Sequence, residues 1–253
     1  MWETKITKVS PNELLIRGYP LDELIGSISY AAGIYLALKG DLPTKQEERV
    51  INAILVATMD HGVTAPSAVA ARTVASCGVP ITTAMGAGIL AVGDHHGGAG
   101  EKCIKFLKKA FEYQENDQSL SELAKNVVTQ AKKKKQRIPG FGHRFHTDDP
   151  RTKKLLQVAL DEGISGMFVE LAKLIASELS TQSNRPLPLN VDGAIGALLA
   201  DMGFKAQIGK AFFAIARVTG LTAHILEEYS QRPVRTIIPS DAKYTGEEKR
   251  QIP

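Results

Sequence analysis

The sequence predicts an all-α fold, and three observations predict it. Apolar residues recur at helical spacing along most of the chain, S/T-x-x-E capping boxes open two of those runs, and alternating strand patterns are almost absent. At 253 residues the chain holds one large domain or two small ones. That length supports a buried core without metal or disulfide staples.

Residues 21–40 (LDELIGSISYAAGIYLALKG) read as one or two helices closed by Gly40 at a C′ position. Behind Pro43, Thr44 and Glu47 form the first capping box. Val50, Ile51, Ile54 and Leu55 then recur on one helical face, and the pattern runs out at residues 60–62. Pro80 suits the first position of the next helix, which carries Ala84, Gly86, Ala87, Gly88 and Ala91 and ends at Gly93. A helix over residues 99–113 places Cys103, Leu107, Ala110 and Phe111 on one stripe. Ser119 and Glu122 cap a helix running through Leu123, Val127 and Val128 into Lys132, Lys133, Lys134 and Lys135, cations suited to a helix C-terminus. Pro139, Gly140 and Gly142 force a loop at RIPGFGHRFHTDD. Asp149 and Pro150 then read as N-cap and first residue of a helix carrying Leu155, Leu156 and Ala159. Phe168, Leu171, Ala172 and Ile175 mark another. The prolines of SNRPLPLN impose an extended segment. Ile195, Leu198, Leu199 and Met202, then Ile208, Ala211, Phe212 and Ile215, are the last helical faces before a polar tail.

Hydrophobic residues at 43% and charged residues at 23% are ordinary for a soluble globular protein. A net charge of +4 is too weak to imply nucleic acid. Two cysteines, Cys77 and Cys103, exclude a disulfide scaffold and point to a reducing, cytoplasmic setting. The first residues, MWETKITKVS, show no apolar signal-peptide core. The most apolar stretch, residues 79–93, is too short and too rich in Gly and Ala to span a bilayer; it reads as a helix buried on all sides.

Four polar loops stand at predicted helix ends. His61 lies in MDHGVTAPS, His96 in GDHHGGAG, His143 in PGFGHRFHTDDPR and Asp192 in PLNVDGAIG. Flanking Gly and Pro let a backbone approach a ligand and aim a side chain from a helix terminus. Each group alone also fits a plainer role: a cap or surface residue for each His, an N-cap for Asp192. No histidine pair has zinc-site spacing, so no metal is expected. G-x-S-x-G, P-loop and G-x-G-x-x-G motifs are absent, which argues against hydrolase, NTPase and dinucleotide readings.

Taken in order, these loops resemble the citrate synthase family, including its short members, the citryl-CoA lyases and the C-terminal module of ATP-citrate lyase. MDHGVTAPSAVAAR is similar to the family's D-H-x-x-x-A-S loop and helix. GFGHRFHTDDPR resembles its G-x-G-H…D-P-R signature, NVDG its catalytic Asp loop, and ARVTGLTAHILEEYSQRP its C-terminal helix and R-P pair. The resemblance implies a citrate synthase-like fold. It implies a larger helical part, residues 1–95 with 212–253, that packs subunits, and a smaller part, residues 96–211, that closes over CoA.

The resemblance also assigns roles. His96, His143 and Asp192 fall on the catalytic triad, and His61 on a substrate contact. Arg151, Arg217 and Arg232 match the arginines that hold substrate carboxylates, with Arg232 placed to reach a neighbouring subunit. The spacing from His143 to Arg151 is shorter than usual in the family, so Arg144 is an alternative for that arginine. Lys135, Arg137, Ile138, Pro139, Gly140, Phe141 and Gly142 match the loop that contacts the CoA adenine through its backbone. The basic run beside it is either a solvated helix end or an attractor of phosphate; no aromatic residues interleave it as nucleic acid would require.

Those residue types suit the implied chemistry. A poorly solvated Asp192 can exchange the proton of a thioester α-carbon. A neutral His96 can donate a hydrogen bond to the enol oxygen. His143 can move the proton of the alcohol or alkoxide. Arginines hold the carboxylates bidentately. Longer citrate synthases carry an extra segment between the GDLPT and D-H motifs; residues 41–60 leave room here for one helix. The compact form points to citryl-CoA lyase-type cleavage of citryl-CoA, or of a similar 3-hydroxy-3-carboxyacyl-CoA, to acetyl-CoA and oxaloacetate. The histidine at position 96, which the ATP-citrate lyase module lacks, points toward citrate synthase as the alternative. A non-catalytic CoA- or citrate-binding subunit is the third reading. No tightly bound cofactor is expected, with coenzyme A entering as part of the substrate. Expected partners are acyl-CoA and di- or tricarboxylates, a further copy of the chain in a homodimer or larger homo-oligomer, and a separate synthetase supplying citryl-CoA. No membrane is expected.

Overall fold

The computed structural model describes residues 2–142, 149–183, 186–234, 243–247 and 249–251. It is mostly helical, with one departure at the N-terminus. There the chain forms a three-stranded antiparallel meander: β1 (Thr7–Ser10), β2 (Glu13–Ile16) and β3 (Tyr19–Pro20). Thr7 faces Ile16 and Leu15 faces Pro20 across the ladders. These strands are two to four residues long, too short for a period of two to show in the sequence.

Eleven helices follow among the described residues. The 21–40 segment gives two, α1 (Leu21–Leu24) and α2 (Tyr30–Lys39). Ser29 caps α2 by accepting from the Ala32 N–H at 3.2 Å, and Gly40 ends it at φ 104°. α3 (Lys45–Thr58) makes both bonds of its Thr44–Glu47 capping box. α4 (Pro66–Ala75) and α5 (Ile81–Leu90) form a hairpin. α6 (Ala99–Glu112) buries Cys103, Leu107 and Ala110 as the stripe requires. α7 (Leu120–Lys133) carries the second capping box. α8 (Pro150–Asp161), α9 (Met167–Thr181), α10 (Val191–Asp201) and α11 (Ile208–Tyr229) complete the order.

Helix α5 departs from its expectation. Pro80 is its N-cap rather than its first residue, and of its side only Ala84 and Gly88 are buried. Leu90 is 87% exposed. The sequence there is apolar all round, and α4 and α11 cover one side of it. Low polarity alone does not say how many neighbours a helix has.

The core is built around α10. Nine of its eleven residues are buried, enclosed by α6, α8, α9 and α11. Each fully buried leucine there, Leu198 and Leu199 among them, contributes about 1.5–3 kcal/mol. An edge-to-face chain of Tyr35, Phe204 and Phe212, with centroids 5.6 Å apart at each step, ties α2 and α11 to the end of α10. Asp201, the last residue of α10, accepts N–H bonds from Gly166, Phe168 and Val169 and so caps the start of α9. A second, smaller apolar cluster joins Ala68, Ala71 and Ala75 of α4, Ala84 of α5, and Leu221 and Ile225 of α11. Among the described residues no helix is long and apolar enough to cross a membrane.

One backbone contact positions everything that follows. Gly193, in the first turn of α10, lies against Gly140; a Cβ on Gly193 would overlap the Gly140 carbonyl oxygen and press on Leu189. Gly193→Ala therefore drives α10 from the 138–142 loop. It should destabilise the protein by about 2–3 kcal/mol, or roughly 5–10 °C in melting temperature. Gly33→Ala, inside α2, brings its Cβ only into ordinary contact with Ile28 and should be neutral or mildly stabilising through helix propensity. Paired thermal melts followed by circular dichroism check both; equal melting temperatures for Gly193→Ala and wild type would refute the contact.

Candidate active site

The start of α10 is held by Asn190. Its side-chain oxygen caps the helix by accepting from the Gly193 N–H at 3.0 Å. Its backbone N–H donates to the Gly140 carbonyl at 3.0 Å, and its side-chain amide donates to the Gly142 carbonyl at 2.9 Å. Gly142 N–H donates in turn to Pro188 O at 2.7 Å. The result is a short antiparallel bridge, Phe141 against Leu189. Gly140 at φ 91° and Gly142 at φ 78° make the turn that this bridge needs.

Asp192 is the second residue of α10, and its carboxylate is largely desolvated. Desolvation raises its pKa above the usual carboxylate range. Arg151 and Arg217 pull it down without cancelling the rise, and Asp149 adds to it. Beneath it sits Cys103, whose buried thiol donates to the Gly193 carbonyl at 3.7 Å and is pushed up to about 12 by burial and by the Asp192 charge. Asp192 also lines a small cavity floored by Gly97 and Gly100 and walled by Ile54, Ile195, Phe212 and Phe213.

His96 stands in a tight turn closed by Gly93 and His96 backbone bonds. Its Nε2 lies 2.8 Å from the Ser67 hydroxyl and 3.3 Å from the Ser67 N–H. An amide N–H only donates, so Nε2 is the acceptor and the ring proton of the neutral form is on Nδ1. Ser67 is in the first turn of α4, where the helix dipole also disfavours a cation. Burial first, then the charges of Arg217 and His61, hold the His96 pKa below the ordinary imidazole value. The imidazole is therefore a neutral donor. It meets Phe213 edge to face at 5.3 Å.

Arg217 of α11 is buried. Its Nε donates to the Thr58 carbonyl at 3.2 Å, and its guanidinium lies 4.6 Å from the Phe213 ring centre. Its Nη1 is buried with no hydrogen-bond acceptor among the described residues. Burial lowers its pKa, while the charges of Asp60 and Asp192 raise it. Arg151, in the first turn of α8, is gripped by Asp149: Nε to Oδ1 at 3.1 Å and Nη2 to Oδ2 at 2.8 Å. Asp149 also caps α8 through the Arg151 N–H. His61 is exposed in the α3–α4 connector, and its charge is felt at both His96 and Asp192.

The structure thus brings His96, Asp192, Arg217, Arg151 and His61 to one region. His143 and Arg144 lie outside the described residues. The two residues that flank them, Gly142 and Asp149, both bear on the start of α10. Ile138 is buried, Pro139, Gly140, Phe141 and Gly142 line the bridge, and Lys135 and Arg137 are exposed beside it. Arg232 is not brought to this region. It is exposed beyond the end of α11, and α11 runs on twelve residues past Arg217, or about 18 Å of helix rise. Sequence reasoning missed Ser67, Asn190, Asp60 and Asp149 as site residues. Asn190 and Asp149 are ordinary helix caps, Asp60 an ordinary turn residue and Ser67 a residue inside α4; only the fold shows that each also touches a site group. Among the described residues, no group of three or more His, Cys, Asp or Glu side chains could hold a metal.

Residues 43–239 match the family described as "Citrate synthase, C-terminal domain". The chain belongs to the citrate synthase family. Within the family it is 31% identical over 227 residues to citrate synthase 2 of Bacillus subtilis (strain 168), covering 88% of this chain and 57% of that protein. The chain thus spans a little over half the length of such curated relatives. The structure of citryl-CoA lyase from Hydrogenobacter thermophilus is 40% identical and superposes with a TM-score of 0.91, covering 100% of this chain and 98% of that one. ATP citrate lyase from Methanothrix soehngenii, solved with citrate and coenzyme A, shares the fold at 23% identity and a TM-score of 0.86 over 98% of this chain and 42% of its own. The family fold is the one expected.

The raised carboxylate has a thermodynamic consequence. A group whose folded pKa exceeds its unfolded value makes the protein lose stability as pH climbs from the unfolded value through the folded one. Asp192→Asn removes that loss. The variant should melt near wild type at pH 4 and above it by a few degrees at pH 7, as a pH series of calorimetric melts would read. A variant that melts below wild type at pH 7 would show Asp192 to be stabilised rather than strained by its surroundings.

Proposed function

We propose that this chain cleaves citryl-CoA, or a closely similar 3-hydroxy-3-carboxyacyl-CoA, to acetyl-CoA and oxaloacetate. The observation that carries the reading is one grouping: an Asp192 whose pKa is raised by desolvation, a neutral His96 that presents Nδ1–H, and a buried Arg217 whose Nη1 has no described acceptor. Such a guanidinium fits a carboxylate ligand. The near end-to-end likeness to a citryl-CoA lyase favours cleavage over synthesis. The second reading, citrate synthase, is favoured by the filled histidine position 96.

In cleavage, His143 takes the proton of the C3 hydroxyl. The alkoxide collapses to the ketone of oxaloacetate, and the electrons of the breaking carbon–carbon bond move into the thioester as an enol or enolate. His96 Nδ1–H donates to the thioester oxygen as charge develops there. Asp192, whose pKa is raised by burial, delivers a proton to the α-carbon and leaves acetyl-CoA. Arg217, Arg151 and His61 hold the carboxylates. In synthesis the same groups run backward, with Asp192 as base. CoA lies against the 135–142 segment. The Gly140 and Gly142 carbonyls are already used by Asn190, and pleat alternation turns the Phe141 N–H and C=O to the other side, where they are available to an adenine. Lys135 and Arg137 attract the phosphates.

Residues 96–211 form the part that closes over CoA, against residues 1–95 with 212–253. The exposed small-residue face of α5 packs against a second copy of the chain, and Arg232 completes the carboxylate pocket of that copy. A separate synthetase makes citryl-CoA in a reducing, cytoplasmic setting.

A panel of citryl-CoA, citramalyl-CoA, and acetyl-CoA with oxaloacetate tests the reaction. Oxaloacetate release from citryl-CoA supports cleavage; citrate accumulating with free CoA supports synthesis. Asp192→Asn should lower turnover at least about 10³-fold while CoA affinity by calorimetry stays within a factor of about three; unchanged turnover would refute the mechanism. Arg232→Ala and Asp192→Asn chains, each nearly inactive alone, should complement when co-expressed. Random pairing gives heterodimers in half the molecules with one intact site each, so about one quarter of wild-type activity. No recovery would place Arg232 outside the neighbouring site.

A further inference from the structure

The connector from α3 to α4 is stitched to one stripe of α11, at Arg217, Gly220 and His224. Arg217 Nε holds the Thr58 carbonyl. Gly220 has no side chain because Met59 O occupies that space, and a Cβ there would also lie 3.0 Å from Asp60 Cβ and Oδ1. His224 Nε2 lies 3.0 Å from Asp60 Oδ1. The spacing of three and then four residues puts all three positions on one helix face. No other element supplies contacts of this kind to residues 58–60 among the described bonds.

Asp60 itself forms a local turn. Its Oδ2 accepts the Gly62 N–H at 2.9 Å, and the His61 N–H also bonds to its carboxylate. This is an Asx turn, and Gly62 closes it at φ 77°. The carboxylate thus accepts from the N–H groups of both His61 and Gly62 and is itself anchored to α11 through Oδ1. His61, the residue between, acts electrostatically on His96 and Asp192. Of the other charged groups near His224, Glu227 Oε2 is 3.9 Å from Nδ1 and is itself mostly exposed.

We propose that His224 is a positioning residue: by donating Nε2–H to Asp60 it locks the 58–62 segment onto α11 and aims His61, beside Arg217, at the carboxylates of the oxaloacetate half of the substrate. This rests on the carboxylate-binding role proposed above for His61 and Arg217, and it adds what sets their aim. His224 touches no reacting atom. Its effect reaches the substrate only through Asp60, so its loss weakens the dicarboxylate and leaves the CoA half alone.

The test measures oxaloacetate and CoA affinity by calorimetry, with citryl-CoA kinetics in parallel, on full-length chains. His224→Ala should weaken oxaloacetate about tenfold, leave CoA affinity within twofold, and raise KM for citryl-CoA more than it lowers kcat. His224→Gln keeps a donor near the Nε2 position and should recover most of the loss. Asp60→Ala should weaken oxaloacetate as much as His224→Ala, and the double variant should be no weaker than Asp60→Ala alone. Unchanged oxaloacetate affinity in His224→Ala, equal losses in Ala and Gln, or additive losses in the double variant would each overturn the proposal. Wild type that binds oxaloacetate but does not cleave citryl-CoA would defeat the functional reading, while the affinities still decide the clamp.

Discussion

The arrangement depends on keeping one carboxylate poorly solvated at the first turn of a buried helix. Burial raises the Asp192 pKa, and that burial comes from the packing of α10, nine of whose eleven residues are buried. That packing in turn needs two backbones in contact, Gly193 against Gly140. Asn190 makes the same contact productive: three hydrogen bonds from one residue cap α10 and hold the 140–142 bridge. The loop expected to meet CoA and the helix expected to exchange the proton are therefore one mechanical unit.

Burial on this scale costs stability that packing must offset. A carboxylate that keeps its proton above its ordinary range is strained whenever it ionises. Asp201, at the other end of α10, is also raised by desolvation, but three N–H donors pull against that rise. The two ends of one helix thus show different uses of a buried carboxylate. Asp201 is satisfied by backbone donors and joins α9 to α10. Asp192 has nearby cations but is left available, which is what a proton-exchanging group requires.

Much of the fold was legible in the sequence because its signals are local. The Thr44–Glu47 and Ser119–Glu122 boxes, the Asp149–Pro150 cap, Gly40 and the Cys103–Leu107–Ala110 stripe each depend on residues within a few positions of one another. The β1–β3 meander was not legible, since strands of two to four residues carry no usable period. The exposed side of α5 was not legible either, since an apolar run does not state how many neighbours cover it. Within the site, the residue types and their order pointed to His96, Asp192, Arg217, Arg151 and His61. The groups that orient them did not announce themselves. Ser67, Asp60 and His224 act across 29 to 164 residues of chain, and nothing local in those segments encodes such contacts.

The site divides its charges by task. Arg217 and Arg151 are fixed cations, one buried with an unfilled donor and one steadied by Asp149. A protonated His96 beside Arg217 would add a third positive charge to a desolvated region, and burial together with that neighbour prevents it. In the proposed reaction full charges are thereby kept for the substrate carboxylates, whose charge does not change. In the proposed reaction the charge on the thioester oxygen grows and then fades, and the neutral His96 offers it a dipole instead. A neutral donor stabilises developing charge without binding the finished anion so tightly that the next proton transfer stalls. The Ser67 amide imposes the tautomer that leaves Nδ1–H as the donor. The tautomer of His96 therefore traces to a backbone N–H in the first turn of α4, a group that no side-chain substitution at position 67 other than proline would remove.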